Sequence, residues 1–129
     1  MEGKNINSRI TSLLSNLKPE NTNRQKIGLP TINGFHFENI NNIMYLTAKG
    51  SYVDVFINGK GSVLVSKKIK EFEEILPAIF CRVHHSHIIN INFVKEYYKG
   101  RGGYVEMEDG TTIEISVRKK DIFFERFRH

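Results

Sequence analysis

The sequence predicts a mostly β fold of antiparallel sheets, interrupted by two short helices and preceded by an N-terminal linker helix. The first observation is alternation, because several runs place apolar residues at every second position, as in a strand with one buried and one wet face. The second is the set of turn dipeptides between such runs, since Asn-Gly and Asp-Gly favour tight hairpins. Alternating runs occupy positions 53–57, 105–108 and 112–117, and turn signals stand at Asn33-Gly34, Asn58-Gly59 and Asp109-Gly110.

Length and composition limit the class of protein. The 129 residues suffice for one domain with a core, and 40% of them are hydrophobic, which argues against a disordered chain. No apolar run approaches the ~20 residues of a membrane span. The single cysteine, Cys81, cannot build a disulfide framework, so a cytoplasmic location is expected. The net charge of +5 and the pI of about 9.4 fit a nucleic-acid partner without requiring one.

Residues 1–26 differ from the rest of the chain and are predicted to form a linker helix and a polar linker, ahead of a domain over 27–129. Apolar residues recur there at helical spacing and form one narrow stripe, which ends before Pro19. The helix either packs on its own domain or connects it to another part of a larger protein. The stripe consists of Ile6, Ile10, Leu13, Leu14 and Leu17.

Two short helices are predicted among the strands. In residues 66–77, the apolar side chains of Ile69, Phe72, Ile75 and Leu76 share a face, with Ser66 as the expected cap and Pro77 after the end. A second helix is predicted over 119–127, where Ile122, Phe123 and Phe127 lie on one side.

Enzymatic chemistry has little support in the sequence. His84-His85-Ser86-His87 is the densest cluster of ligand-type residues, and a zinc site using His84, His85 and His87 is one alternative. His85 and His87 alternate and would share one face of a strand, but a catalytic zinc needs a third ligand and usually a nearby acid, and no carboxylate lies within this segment. Cys81 stands in an apolar run and is expected to be buried and inert. Gly100-Arg101-Gly102-Gly103 lacks the context of a phosphate loop and is expected to be a hairpin turn.

Basic and small polar residues recur where strands are predicted to end. Each is most simply a solvated surface charge, but together they form a common surface if the loops cluster. Such a surface suits DNA, because Lys and Arg neutralise phosphates, Arg binds guanine bidentately, and His or Ser donates to base acceptors. The segments are Lys49-Gly50-Ser51-Tyr52, Arg82 with the histidine cluster, and Ser116-Val117-Arg118-Lys119-Lys120.

Three segments together resemble the LytTR family of DNA-binding domains. Residues 80–90, read as Phe-Cys-Arg-Val-His-His-Ser-His-Ile-Ile-Asn, are similar to the most distinctive stretch of that family. Residues 43–53 resemble its early strand–loop–strand, and residues 109–118 resemble its closing hairpin. The order and the intervening helix also agree, and the resemblance covers about residues 27–125.

The resemblance implies the output domain of a two-component response regulator, a transcriptional regulator and not an enzyme, with an elongated β fold and no cofactor or metal. Loops would enter successive major grooves of repeated DNA sites, commonly as dimers or paired copies, with a receiver domain upstream. Its base-reading positions correspond to Ser51 or Tyr52, His85 and Arg118. Backbone-contacting or supporting roles correspond to Lys49, Arg82, His84, Ser86, Ser116, Lys119 and Lys120. A β-rich protein-interaction module and a zinc-dependent enzyme or metal sensor remain the alternatives.

Overall fold

A computed structural model describes residues 25–127, and the helix predicted within residues 6–17 lies outside that part. Ten strands and two α-helices form the described chain, with three 3-10 turns between them. The strands are β1 (Lys26–Thr31), β2 (Gly34–Asn39), β3 (Ile43–Lys49), β4 (Tyr52–Ile57), β5 (Gly61–Val65), β6 (Phe80–His84), β7 (His87–Asn90), β8 (Val94–Tyr98), β9 (Tyr104–Met107) and β10 (Thr112–Glu114); the helices are α1 (Ile69–Ile75) and α2 (Lys120–Arg126).

A five-stranded antiparallel sheet, in the order β5-β4-β3-β7-β6, occupies the centre of the fold. β1 and β2 form a separate hairpin, and β8, β9 and β10 form a three-stranded sheet in the order β10-β9-β8. The prediction of a mostly β, antiparallel fold with two short helices is therefore confirmed. All three predicted turn dipeptides lie where expected, between β1 and β2, β4 and β5, and β9 and β10.

The central sheet buries both faces. On one face, Leu46, Val55 and Ile88 pack with Phe72 of α1 and Leu29 of the β1–β2 hairpin. On the other face, the three-stranded sheet and α2 cover the residues that alternate with these. That second cluster contains Tyr45, Cys81, Val83, Ile89, Val105, Met107, Ile113, Ile115 and Phe123. The Tyr45 hydroxyl also donates to Asp109 Oδ2 and shares a hydrogen bond with the Thr111 hydroxyl, both at 2.9 Å, which ties the two sheets together.

One end of the central sheet, here called the capped edge, is closed by two asparagine turns, Asn39 to Ile43 and Asn90 to Val94. The Asn39 side chain accepts from the Asn41 amide at 2.8 Å, and the Asn90 side chain accepts from the Asn92 amide at 2.9 Å. Each asparagine thus satisfies a backbone donor at the start of a 3-10 turn. Asn90 is fully buried and also donates to the Ile43 carbonyl at 2.9 Å.

Two local predictions were wrong. Ser66 does not cap α1, whose N-cap is Lys68; the Ser66 hydroxyl donates instead to the Pro30 carbonyl at 3.3 Å. The strand expected to run on to Val117 ends at Glu114 and its alternation at the buried Ile115, because the chain turns into a 3-10 helix at Val117–Lys119 and leaves the Val117 side chain 56% exposed. Within residues 25–127, no helix has the length and apolarity that crossing a membrane requires.

Candidate nucleic-acid interface

Two turns lie side by side at the end of the central sheet opposite the capped edge. Residues 49–52 join β3 to β4, and residues 84–87 join β6 to β7. They are neighbours because β3 pairs with β7, placing Thr47 opposite His87. A backbone hydrogen bond from the Ala48 amide to the Ser86 carbonyl, 2.8 Å long, extends this pairing into the turns. Two of the three segments singled out in the sequence are thereby brought together.

The third segment, residues 116–120, reaches the same place from the three-stranded sheet. The Ser116 amide donates to the Val83 carbonyl at 2.8 Å, which fixes the segment beside the end of β6. We call the set formed by residues 49–52, 84–87 and 116–119 the turn edge. It extends over roughly 15–20 Å, since neighbouring strands are spaced by about 4.8 Å.

The first turn presents Ser51 and Tyr52 outward. Ser51 is exposed, and Tyr52, the first residue of β4, keeps 43% of its surface exposed. Gly50 adopts a positive φ of 61°, a conformation that favours glycine, and so allows the tight reversal. The Lys49 ammonium lies 3.5 Å from the Asp54 carboxylate but remains mostly exposed. Lys49 can therefore leave Asp54 and bind another anion, such as a phosphate, with little loss of free energy.

The middle turn is braced from within by Arg82. Its guanidinium donates to the His85 carbonyl at 2.6 Å and to the Glu73 carboxylate of α1 at 2.9 Å. The Ser86 amide donates to His84 Nδ1 at 3.1 Å, so His84 also shapes the turn. His85 itself stays exposed, with its ring 4.5 Å from that of His84, centroid to centroid. Arg82 and His84 thus hold the turn while His85 presents its ring to solvent.

His87 lies beneath this turn and is partly buried. Its Nδ1 is 3.2 Å from the Thr47 hydroxyl, and its ring lies 5.3 Å from that of His84. Burial lowers the pKa of His87, and the neighbouring His84 and His85 lower it further, although Glu114 acts in the opposite direction. The described residues include no group of three or more His, Cys, Asp or Glu side chains arranged to hold a metal ion. The His84 ring instead lies in tilted contact with the rings of His85 and His87, and His84 and His87 form hydrogen bonds with Ser86 and Thr47.

The closing segment places Arg118 on the 3-10 helix Val117–Lys119, where its side chain is exposed. Sequence reasoning had put Arg118 at the end of a strand, but the chain leaves the sheet four residues earlier. The tighter turn projects Arg118 and Lys119 in different directions, because consecutive residues of such a helix are rotated by about a third of a turn. Lys120 begins α2 and is half-buried.

Sequence reasoning missed two supporting residues, Glu73 and Thr47. Glu73 holds Arg82 from another element, and Thr47 contacts His87 across a strand pair. Neither carries a local sequence signal, since each contact depends on how elements pack. Cys81, expected to be buried and inert, is fully buried, and burial raises the pKa of its thiol.

Comparison with known proteins gives two findings. The family model of the LytTr DNA-binding domain matches residues 33–128. Among solved structures, the LytTr DNA-binding domain of a response regulator from Bacillus cereus is similar, with a TM-score of 0.69 and 25% sequence identity, over 81% of this chain and 97% of that chain. No curated protein matches the chain. All three segments of the turn edge therefore lie within the residues that the family model matches.

Proposed function

Since the chain belongs to the LytTR family of DNA-binding domains, we propose that the turn edge is its contact surface for double-stranded DNA. Membership makes the chain a sequence-specific DNA-binding output domain of a transcriptional regulator. The main support for this surface is a pair of backbone hydrogen bonds, from the Ala48 amide to the Ser86 carbonyl and from the Ser116 amide to the Val83 carbonyl. They unite three segments that are far apart in sequence and that hold exposed cations and small donors.

Base reading falls to Arg118, His85 and either Ser51 or Tyr52. All four side chains are exposed on the turn edge, whereas the neighbouring Arg82 and His84 are engaged within the protein. Arg118 suits guanine O6 and N7, which accept the two parallel donors of a guanidinium. Phosphate contacts fall to Lys49, Ser86, Ser116, Lys119 and Lys120, with Arg82 and His84 positioning the middle turn.

The test begins with selection of bound duplexes from a random library, which supplies a cognate site. Arg118→Ala is then expected to cost about 1–3 kcal/mol at that site and to relax the preference at one position. Lys119→Ala is the matched control: it should weaken all duplexes alike and reduce the salt dependence of binding. Unchanged selectivity in Arg118→Ala, with the fold intact by circular dichroism, would overturn the assignment.

The size of the turn edge supports the proposal that the domain binds repeated sites as paired copies. At roughly 15–20 Å, it covers about half of the ~34 Å helical repeat of DNA, so one copy contacts few base pairs. We therefore expect two copies on sites one or more helical turns apart. Binding to duplexes that carry one site, two sites in phase, or two sites half a turn out of phase would test this, and equal affinity for all three would contradict it.

The rest of the regulator is inferred from residues 1–26. The apolar stripe and polar linker there fit a connector from a receiver domain, as in a response regulator of a bacterial two-component system. The whole protein would then act by binding in the cytoplasm, where its DNA lies, and without catalysis by this domain. An excess of Lys and Arg on exposed turns, and a family defined by DNA binding, support that reading.

A further inference from the structure

The loop between β8 and β9, residues 99–103, carries two cations that play no part in the three segments above. Lys99 and Arg101 are both exposed, and within residues 25–127 neither forms an ion pair or a hydrogen bond through its charged group. From the sequence, Gly100-Arg101-Gly102-Gly103 predicts only a hairpin turn, and the loop does connect two paired strands. The fold also places this loop beside the segment that carries Arg118.

The loop is fastened to the segment that leads into Arg118. The Ile115 amide donates to the Gly103 carbonyl at 2.9 Å, and the Tyr97 hydroxyl donates to the Gly102 carbonyl at 3.1 Å. A Cβ atom at Gly102 would collide with the Ile115 carbonyl oxygen, so the two backbones meet with no side chain between them. Gly103 has a φ of +84° and lies against the Tyr97 ring. The loop is therefore held in one place by its glycines and by Tyr97.

Because of this attachment, the loop lies next to the turn edge. Ser116, which follows Ile115, is bound to Val83 at the end of β6, so the loop lies beside the closing segment on the side away from the middle turn. We propose that residues 99–103 form a fourth DNA-contacting segment, in which Lys99 and Arg101 bind the phosphate backbone next to the base pair that Arg118 reads. The proposal rests on the proposed function and adds a contact that the three segments do not supply.

Phosphate is the favoured ligand of this loop on chemical grounds. Lys99, Arg101 and the glycine backbone line an open cleft, and Glu114 and Thr112 line its other side. The Glu114 carboxylate repels an anion on its own side of the cleft, so the phosphate is expected on the opposite side, within reach of the two long cationic side chains. Such contacts add salt-sensitive affinity and fix register but carry no sequence information.

The decisive variant is Lys99→Ala/Arg101→Ala in the full chain. It should lower affinity about tenfold on cognate and unrelated duplexes alike and reduce the slope of log K against log salt by about two, at about one per lost contact. The charge-matched control is Lys70→Ala/Lys95→Ala, which removes two exposed cations from α1 and from the far end of β8 and should change the slope little. Equal losses in both double variants would reduce the effect to net charge and overturn the proposal.

The location of the contact is tested by ethylation interference. Wild-type protein should show interference at one or two phosphates that flank the base pair assigned by Arg118→Ala, and the loop variant should lose only those. Lys99→Arg/Arg101→Lys, which keeps the charge, should restore them. Loss at phosphates elsewhere would overturn the placement. Failure of the proposed function is recognised separately, because the wild-type chain would then discriminate between no duplexes and Arg118→Ala would have no selectivity to lose.

Discussion

At the capped edge of the central sheet, the Asn39 and Asn90 side chains bond the backbone of the protein itself, whereas at the turn edge the side chains of Arg118 and His85 are open to a ligand. Asn90 is fully buried and bonds both the Ile43 carbonyl and the Asn92 amide. Arg118 and His85 are exposed, and no hydrogen bond or ion pair through their side chains occurs within residues 25–127. The two ends of the sheet therefore differ in role. Polar groups at the capped edge stabilise the fold, and polar groups at the turn edge are free to bind a ligand.

The largest effect on stability is expected from a substitution at the capped edge. Asn90→Ala removes a buried side chain that satisfies the buried Ile43 carbonyl and the partly buried Asn92 amide, so the free energy of unfolding should fall by about 2–3 kcal/mol. Urea unfolding measures the loss, and the DNA selectivity of the protein that stays folded should be unchanged. Asn58→Ala, in the exposed β4–β5 turn at the same edge, is the control and should change stability little. Equal losses in the two variants would refute the structural role of Asn90.

A smaller effect is expected at Arg82, which lies next to the turn edge but, like Asn90, uses its side chain for contacts within the protein. Arg82→Ala should reduce stability by about 1 kcal/mol, because the partner Glu73 is half-exposed and its ion pair is screened. It should also relax base selectivity at the position proposed for His85, since the His85 carbonyl loses its donor. A double-mutant cycle with Glu73→Gln measures the coupling.

The control for this cycle is Lys67→Ala, which breaks the weaker 4.0 Å pair with Glu71 on the same helix. That variant should affect neither stability nor selectivity measurably. If Arg82→Ala preserves selectivity and only weakens binding to every duplex, Arg82 is a direct phosphate contact and not a positioning residue.

The smallest expected effect concerns pH and His87. Its pKa is lowered in the folded state by burial and by the adjacent His84 and His85, so the unfolded chain binds the proton more readily. Stability from the neutral ring is therefore full above the unfolded pKa of about 6.5 and is lost as pH falls from there through the folded pKa. His87→Gln should show a smaller drop in Tm between about pH 7.5 and about pH 5.5 than the wild type. An unchanged drop would mean that other groups dominate.

The fold was predictable from sequence because its signals are local. Val53, Val55 and Ile57 alternate in sequence and are buried in the structure, and the dipeptide Asn58-Gly59 marks the turn that follows them. The order of the five strands was not predictable in the same way, since β3 pairs with β7 across about forty residues. For the same reason the convergence of three loops could only be conjectured from their chemistry and from the family resemblance.

The errors and omissions at the site have a common physical cause. Val117 has the residue type of a strand continuation, but the Ser116 amide is captured by Val83 and the chain turns there. Arg82 looks like one more surface cation until Glu73 is seen on the adjacent helix. The sequence around Gly102 indicates only a turn, whereas the structure shows that Gly102 packs against the Ile115 backbone. In each case a tertiary partner, distant in sequence, decides what the residue does.

The hydrogen bond between the Ala48 amide and the Ser86 carbonyl also bears on how such a domain can diverge. Because it joins main-chain atoms, the separation of the first and middle turns does not depend on which side chains those turns carry. Substitutions at Ser51, Tyr52 or His85 therefore change the donors and acceptors offered to a ligand while their spacing stays constant. Descendants of one ancestral domain can acquire new base preferences one position at a time and still bind sites of the same length.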